Sequence, residues 1–204
     1  MHSILLAAAA MVLAAAAPGR LFAAEPPPGH APSGQAPSGK SAHGCLANGG
    51  GYLRAQIRGA LVLDVDLHNS ELECEGGPRP DGSGLRISFA GPLRSDGRRL
   101  RVVFGVSKAS EGQPGRALPT NLTLIFEGES RLFATRGEDK CTVDQLTQER
   151  LGALGGPRRS YRVIARGFCI APVSSVSQQE SILVSRFDFA GLVTFEDAET
   201  GVTK

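Results

Sequence analysis

Between Tyr52 and Leu67 the chain alternates. Leu53, Ala55, Ile57, Leu61, Leu63, Val65 and Leu67 hold odd positions, with Arg54, Gln56, Arg58, Asp64 and Asp66 between them. A period of two puts the apolar set on one face of an extended segment and the polar set on the other. This is the pattern of a half-buried strand, and we expect one long strand bent by a bulge at Gly59, where a missing Cβ costs least. Leu85–Gly91, Arg99–Gly105, Leu122–Gly128 and Arg131–Thr135 read as further strands, and so does Leu183–Glu196, where Leu183, Phe187, Phe189, Val193 and Phe195 fall on one face. Gly, Pro, Asp and Asn cluster between these runs, and no long helical pattern separates them. The expectation is an all-β fold, an antiparallel β-sandwich of roughly eight strands.

The first residues set the compartment. Ile4–Ala17 is an uncharged apolar run ending at Pro18-Gly19. It falls short of the about 20 apolar residues that cross a bilayer, and it has the length of a signal-peptide core, with small residues following up to Ala24. Residues 1–24 are therefore expected to be a signal peptide, although its start, Met-His-Ser, contains no Lys or Arg. Residues 25–43 repeat the pentamer Ala-Pro-Ser-Gly-Gln/Lys and lack apolar bulk, as a flexible linker does. The β-sandwich domain is placed at 44–197 and a C-terminal tail at 198–204. The expected location is periplasmic or secreted, with no transmembrane segment in the mature chain. Abundant Arg, Ala and Gly fit a bacterium with a GC-rich genome.

Export makes disulfides available, and the chain has four cysteines. If Cys141 and Cys169 face each other across an antiparallel hairpin, the turn centres on Gly155, within Gly-Ala-Leu-Gly-Gly-Pro. That register sets Asp144 opposite Arg166 and Leu146 opposite Ile164 on one face. Val143, Thr147, Tyr161, Val163, Ala165 and both cysteines lie on the other, so like pairs with like. The segment Thr142–Leu151 also admits a helix, but this register favours a strand. Cys45–Cys74 follows as the second bridge by elimination.

Asp64–Glu75 concentrates five carboxylates and His68 in twelve residues. With Asn69-Ser70 as a two-residue turn, Asp66 would oppose Glu73 and Asp64 would oppose Glu75, all acids on one face. Like charges directly opposite one another destabilise a sheet, so something must compensate them. The favoured reading is a solvated face neutralised by Arg54, Arg58, Arg86, Arg99 and Arg101. A divalent cation such as Ca²⁺ is the second reading. An acid/base pair of Asp66 and Glu73 is the third, at the spacing of a retaining glycosidase.

Other chemistry is thinly provided. His68 is the only histidine beyond the linker, and no nucleophile elbow, phosphate loop, dinucleotide fingerprint or zinc spacing occurs. With no Trp and two Tyr, an aromatic platform for sugars is poorly supplied. Lys plus Arg number 22 against 20 for Asp plus Glu, which argues against a nucleic-acid partner. We assign no catalytic, cofactor-binding or metal-binding residue. Segments 76–84 and 105–121 read as loops that offer candidate binding surfaces. The expected function is an exported non-enzymatic binding or structural module of a bacterial cell envelope, its partner an unidentified protein or envelope component. The alternative is an envelope hydrolase that uses a carboxylate pair.

Overall fold

A computed structural model describes residues 44–152, 156–177 and 179–197. The expected signal peptide 1–24, linker 25–43, tail 198–204 and the turn at Gly155 lie outside the described residues. The strands are β1 (Tyr52–Gly59), β2 (Leu63–His68), β3 (Glu73–Pro78), β4 (Gly84–Ala90), β5 (Arg99–Ser107), β6 (Gly115–Glu127), β7 (Arg131–Ala134), β8 (Cys141–Leu151), β9 (Arg158–Cys169), β10 (Val173–Ser175) and β11 (Ser181–Glu196). One 3₁₀ turn, Asn69–Glu71, joins β2 to β3.

All eleven strands belong to one antiparallel sheet, in the order β2-β1-β11-β10-β7-β6-β5-β4-β3, with β8 bridging β6 to β9 and β9 pairing with β11. Two long strands make the circuit possible. On one edge, β6 gives Gly115–Thr120 to β8 and Thr123–Phe126 to β7. Likewise β11 gives Ser181–Ile182 to β10 and Phe187–Glu196 to β9. The pairing thus returns on itself, while β2-β1 and β5-β4-β3 extend outward from the ring.

Phenylalanines knit the interior. Phe104 of β5 lies 4.9 Å from Phe187 and 4.6 Å from Phe189 of β11, and Phe89 of β4 lies 5.2 Å from Phe189, centroid to centroid. These four rings are fully buried. Gly191 allows the approach, since a Cβ there would come within 2.7 Å of Phe89 and Ile87 side-chain atoms. Both disulfides form as expected, Cys45–Cys74 and Cys141–Cys169.

Six expectations change. The 52–67 run is two strands, because the chain reverses after Gly59 and Leu53 pairs with Leu67, Ala55 with Val65 and Ile57 with Leu63. The reversal pairs odd positions with odd, so the apolar face is continuous either way. Asn69-Ser70 is not a hairpin turn: β2 pairs with β1, and β3 pairs with β4. The β8–β9 register holds from Cys141 to Val143 and then slips one residue at Asp144. Beyond that bulge Leu146 opposes Ala165 rather than Ile164 and is buried beside Val143. In β11, Gln56 pairs with Arg186 but Ile57 with Val184, so Ser185 is bulged. Leu183 consequently turns outward while Ile182 and Val184 are buried. Segment 105–121 is mostly strand, with the end of β5 and the start of β6 flanking a short connection. The strand count exceeds the expected eight because 52–67 splits and because β10, at three residues, is too short to show a period.

Candidate functional site

The alternation that buries one face of β1, β11 and β9 aims the other side chains outward in register. A transverse row crosses five strands: Asp66 of β2, Arg54 of β1, Asp188 of β11, Arg166 of β9 and Gln145 of β8. Arg54 Nε lies 3.1 Å from Asp66 Oδ1, and the Tyr52 hydroxyl donates to Asp188 Oδ1 at 2.7 Å. The Arg54 guanidinium stands 4.9 Å from the Tyr52 ring centroid. Beside the row, Arg58 meets Asp64 at 2.7 Å. Asp144, at the bulge, is 3.9 Å from Arg166.

Two open hollows flank this row. One, of about 210 Å³, is lined by Arg54, Gln56, Asp64, Asp66, Arg186 and Asp188. The other, of about 260 Å³, is lined by Tyr52, Gln145, Thr147, Ile164, Arg166 and Asp188. Asp188 belongs to both. Arg186 makes no ion pair or side-chain hydrogen bond among the described residues. Burial, followed by the hydrogen bond to Asp188 and its negative charge, pushes the Tyr52 phenol up to about 12. The arrangement offers charge-assisted hydrogen bonds in an alternating pattern, suited to holding a polar surface.

The acidic run itself is divided. Because β2 and β3 are the two ends of the pairing order among the described residues, Asp64–Glu75 divides between two edge strands. Asp64 and Asp66 project from one edge strand, Glu73 and Glu75 from the other. The opposition of Asp66 and Glu73 that a glycosidase-like pair requires does not form. Among the described residues, no group of three or more His, Cys, Asp or Glu is placed to hold a metal ion. Arginine compensation is found for part of the run: Arg54 and Arg58 take the β2 acids, and Arg99 meets Glu73 at 3.0 Å. Arg101 instead binds Glu127 at 2.5 Å, and Arg86 meets no acid among the described residues. Glu71 accepts a hydrogen bond from the His68 backbone amide at 2.9 Å. Sequence reasoning passed over Arg186 and Asp188, though their outward places between Val184, Phe187 and Phe189 carry the signal.

The chain matches no protein-family model, no curated protein and no solved structure. No helix among the described residues is long and apolar enough to cross a membrane.

Proposed function

We propose that this protein is an exported, non-enzymatic module of a bacterial cell envelope, a two-layered β-sandwich that binds a polar envelope component through the outer face of β2-β1-β11-β9-β8. The observation that carries this reading is the Asp188-centred row with an open hollow on each side. The two-layer reading is supported by the rings of β4 and β5 lying against those of β11. Both disulfides fit an oxidising compartment. The displaced titrations have structural causes. The carboxylates of Glu111, Glu127 and Glu138 are held below their ordinary range by hydrogen bonds, while the Tyr52 phenol is raised.

The test is co-sedimentation of the mature protein with an isolated envelope fraction, paired with an assay for soluble fragments. The expected result is a protein that pellets with the envelope and releases nothing, and whose binding falls when Arg186 and Asp188 are both replaced by alanine. Release of soluble fragments in proportion to the amount of protein added would establish the hydrolase instead.

A further inference from the structure

A third hollow lies outside that face, on the outward side of β4, β5 and β6, and the inference from it does not rest on the other two. Arg86 of β4 pairs with Gly77 on one side and Gly105 on the other, and Gly105 pairs in turn with Asn121. Its side chain therefore leaves the sheet between two residues without side chains. Around it is a hollow of about 210 Å³ lined by Arg79, Arg86, Val103, Gly105, Asn121 and Thr123. Arg86 has no ion pair or side-chain hydrogen bond among the described residues.

Gly105 is unexplained by packing. A Cβ there would meet only Asn121 Cβ, at 3.6 Å, an ordinary contact. Its backbone is not in the left-handed region that favours glycine either. A glycine in a strand interior weakens the strand and often marks a place where another group comes close to the backbone. What its missing side chain does here is keep the floor of the hollow open beneath Arg86.

We propose that this hollow binds a carboxylate on a small polyhydroxy ligand, of the uronate type, with Arg86 as the charged anchor. A guanidinium presents two parallel donors that match a carboxylate. Thr135 Oγ1 lies 3.5 Å from Asn121 Oδ1, which uses the acceptor end of that amide and leaves its Nδ2 hydrogens for a ligand oxygen. The Thr123 hydroxyl adds a donor or an acceptor. Charge selects a monoanion over a phosphate dianion. Arg79, the other guanidinium of the hollow, is already offset by Asp81 at 2.8 Å and Glu138 at 2.6 Å. One unmatched positive charge is opposed by one excess negative charge close by, so a second ligand charge would meet repulsion. Asn121 and Thr123 set hydrogen-bonding groups on the wall opposite Arg86, beside the apolar Val103 and Pro80, and so favour a hydroxylated ligand over an apolar acid.

The experiment is an amide and arginine side-chain NMR titration of the folded domain with glucuronate, glucose and inorganic phosphate. Glucuronate is expected to shift the Gly105 amide and the Arg86 Nε–H saturably in the millimolar range, and glucose to leave both unmoved. Arg86→Ala and Gly105→Val should each weaken binding by about tenfold or more, consistent with loss of a charge-assisted pair or of the space for it. Arg186→Ala, on the other face, should leave it intact. A Cβ at Gly105 meets only an ordinary contact, and amide shifts of Gly105→Val that stay native away from the hollow separate a filled floor from a failed fold. Absence of saturable shifts, shifts that persist in both variants, or tighter binding of phosphate than of glucuronate would each overturn the assignment.

Discussion

The Tyr52 hydroxyl donates to Asp188 Oδ1 at 2.7 Å across the β1–β11 pair, joining residues 136 apart in sequence. The bond ties an early strand to the last one and holds the proton on Tyr52. The phenol, ordinarily near 10.0, rises to about 12, first through burial and then through Asp188. A group whose folded pKa is raised stabilises the fold fully below its unfolded value. That contribution is lost as pH rises from 10 through about 12. In an ultraviolet titration, Asp188→Asn should lower the Tyr52 midpoint while leaving it above 10, because burial remains. The same variant should flatten the loss of stability in that pH window.

The free edge of β2 carries Asp64 and Asp66, whose charges discourage pairing with another exposed strand. Their arginine partners are half-exposed, so each pair contributes about 0–1 kcal/mol. Replacing both with asparagine should therefore change the thermal midpoint little. The same change should raise self-association, read by light scattering or gel filtration at increasing concentration. A variant that stays monomeric throughout would show that the edge is protected in some other way.

Asn69 fastens the segment before β1. Its Oδ1 accepts from the amides of Leu46 at 2.8 Å and Gly51 at 3.0 Å, and its Nδ2 donates to the Leu46 carbonyl at 3.0 Å. The Asn69 carbonyl accepts from Cys45 N at 3.0 Å, and Cys45 is bonded to Cys74. Residues 44–51 form no strand, so these bonds and the disulfide hold them. Asn69→Ala should cost about 2–3 kcal/mol in denaturant unfolding. Cys45→Ala with Cys74→Ala should cost about 3–4 kcal/mol on a loop-entropy basis and expose this segment to protease before global unfolding. Removing Cys141–Cys169, which links residues already opposed in a ladder, should not release a terminus in this way.

Acid should loosen the domain through three glutamates. Hydrogen bonds from Arg99 and then Arg101 depress Glu127. Arg159 and then Tyr161 depress Glu111, and Ser107 and then Arg79 depress Glu138. A depressed carboxylate stabilises the fold above its unfolded value, near 4.5 here, and loses that contribution as pH falls through the folded value. The urea midpoint should fall between about pH 5 and pH 3. Glu127→Gln should lower the midpoint at neutral pH and make its acid dependence shallower. An unchanged slope would assign the acid sensitivity to other groups.

The sequence alone determined which way most side chains point. Periodicity is local, because successive residues of any strand face opposite sides whatever that strand pairs with. Val65 and Phe189 were therefore legible as interior, and the charges of Arg54 and Asp66 as exterior. The Cys141–Cys169 pairing was legible too, because two cysteines flank one glycine-rich run, but the register it implied holds only as far as Val143. Tertiary structure alone decided partners. Backbone hydrogen bonds are the same for every residue, so nothing in Asp64–Glu75 specifies that β2 returns to β1 and β3 goes to β4. An even reversal after Gly59 keeps parity and leaves no trace in the pattern. The bulges at Asp144 and Ser185 do change it, sending Leu146 inward and Leu183 outward. Each is fixed by how a long strand is shared between neighbours from distant parts of the chain. The rows centred on Asp188 and on Arg86 exist only through that sharing.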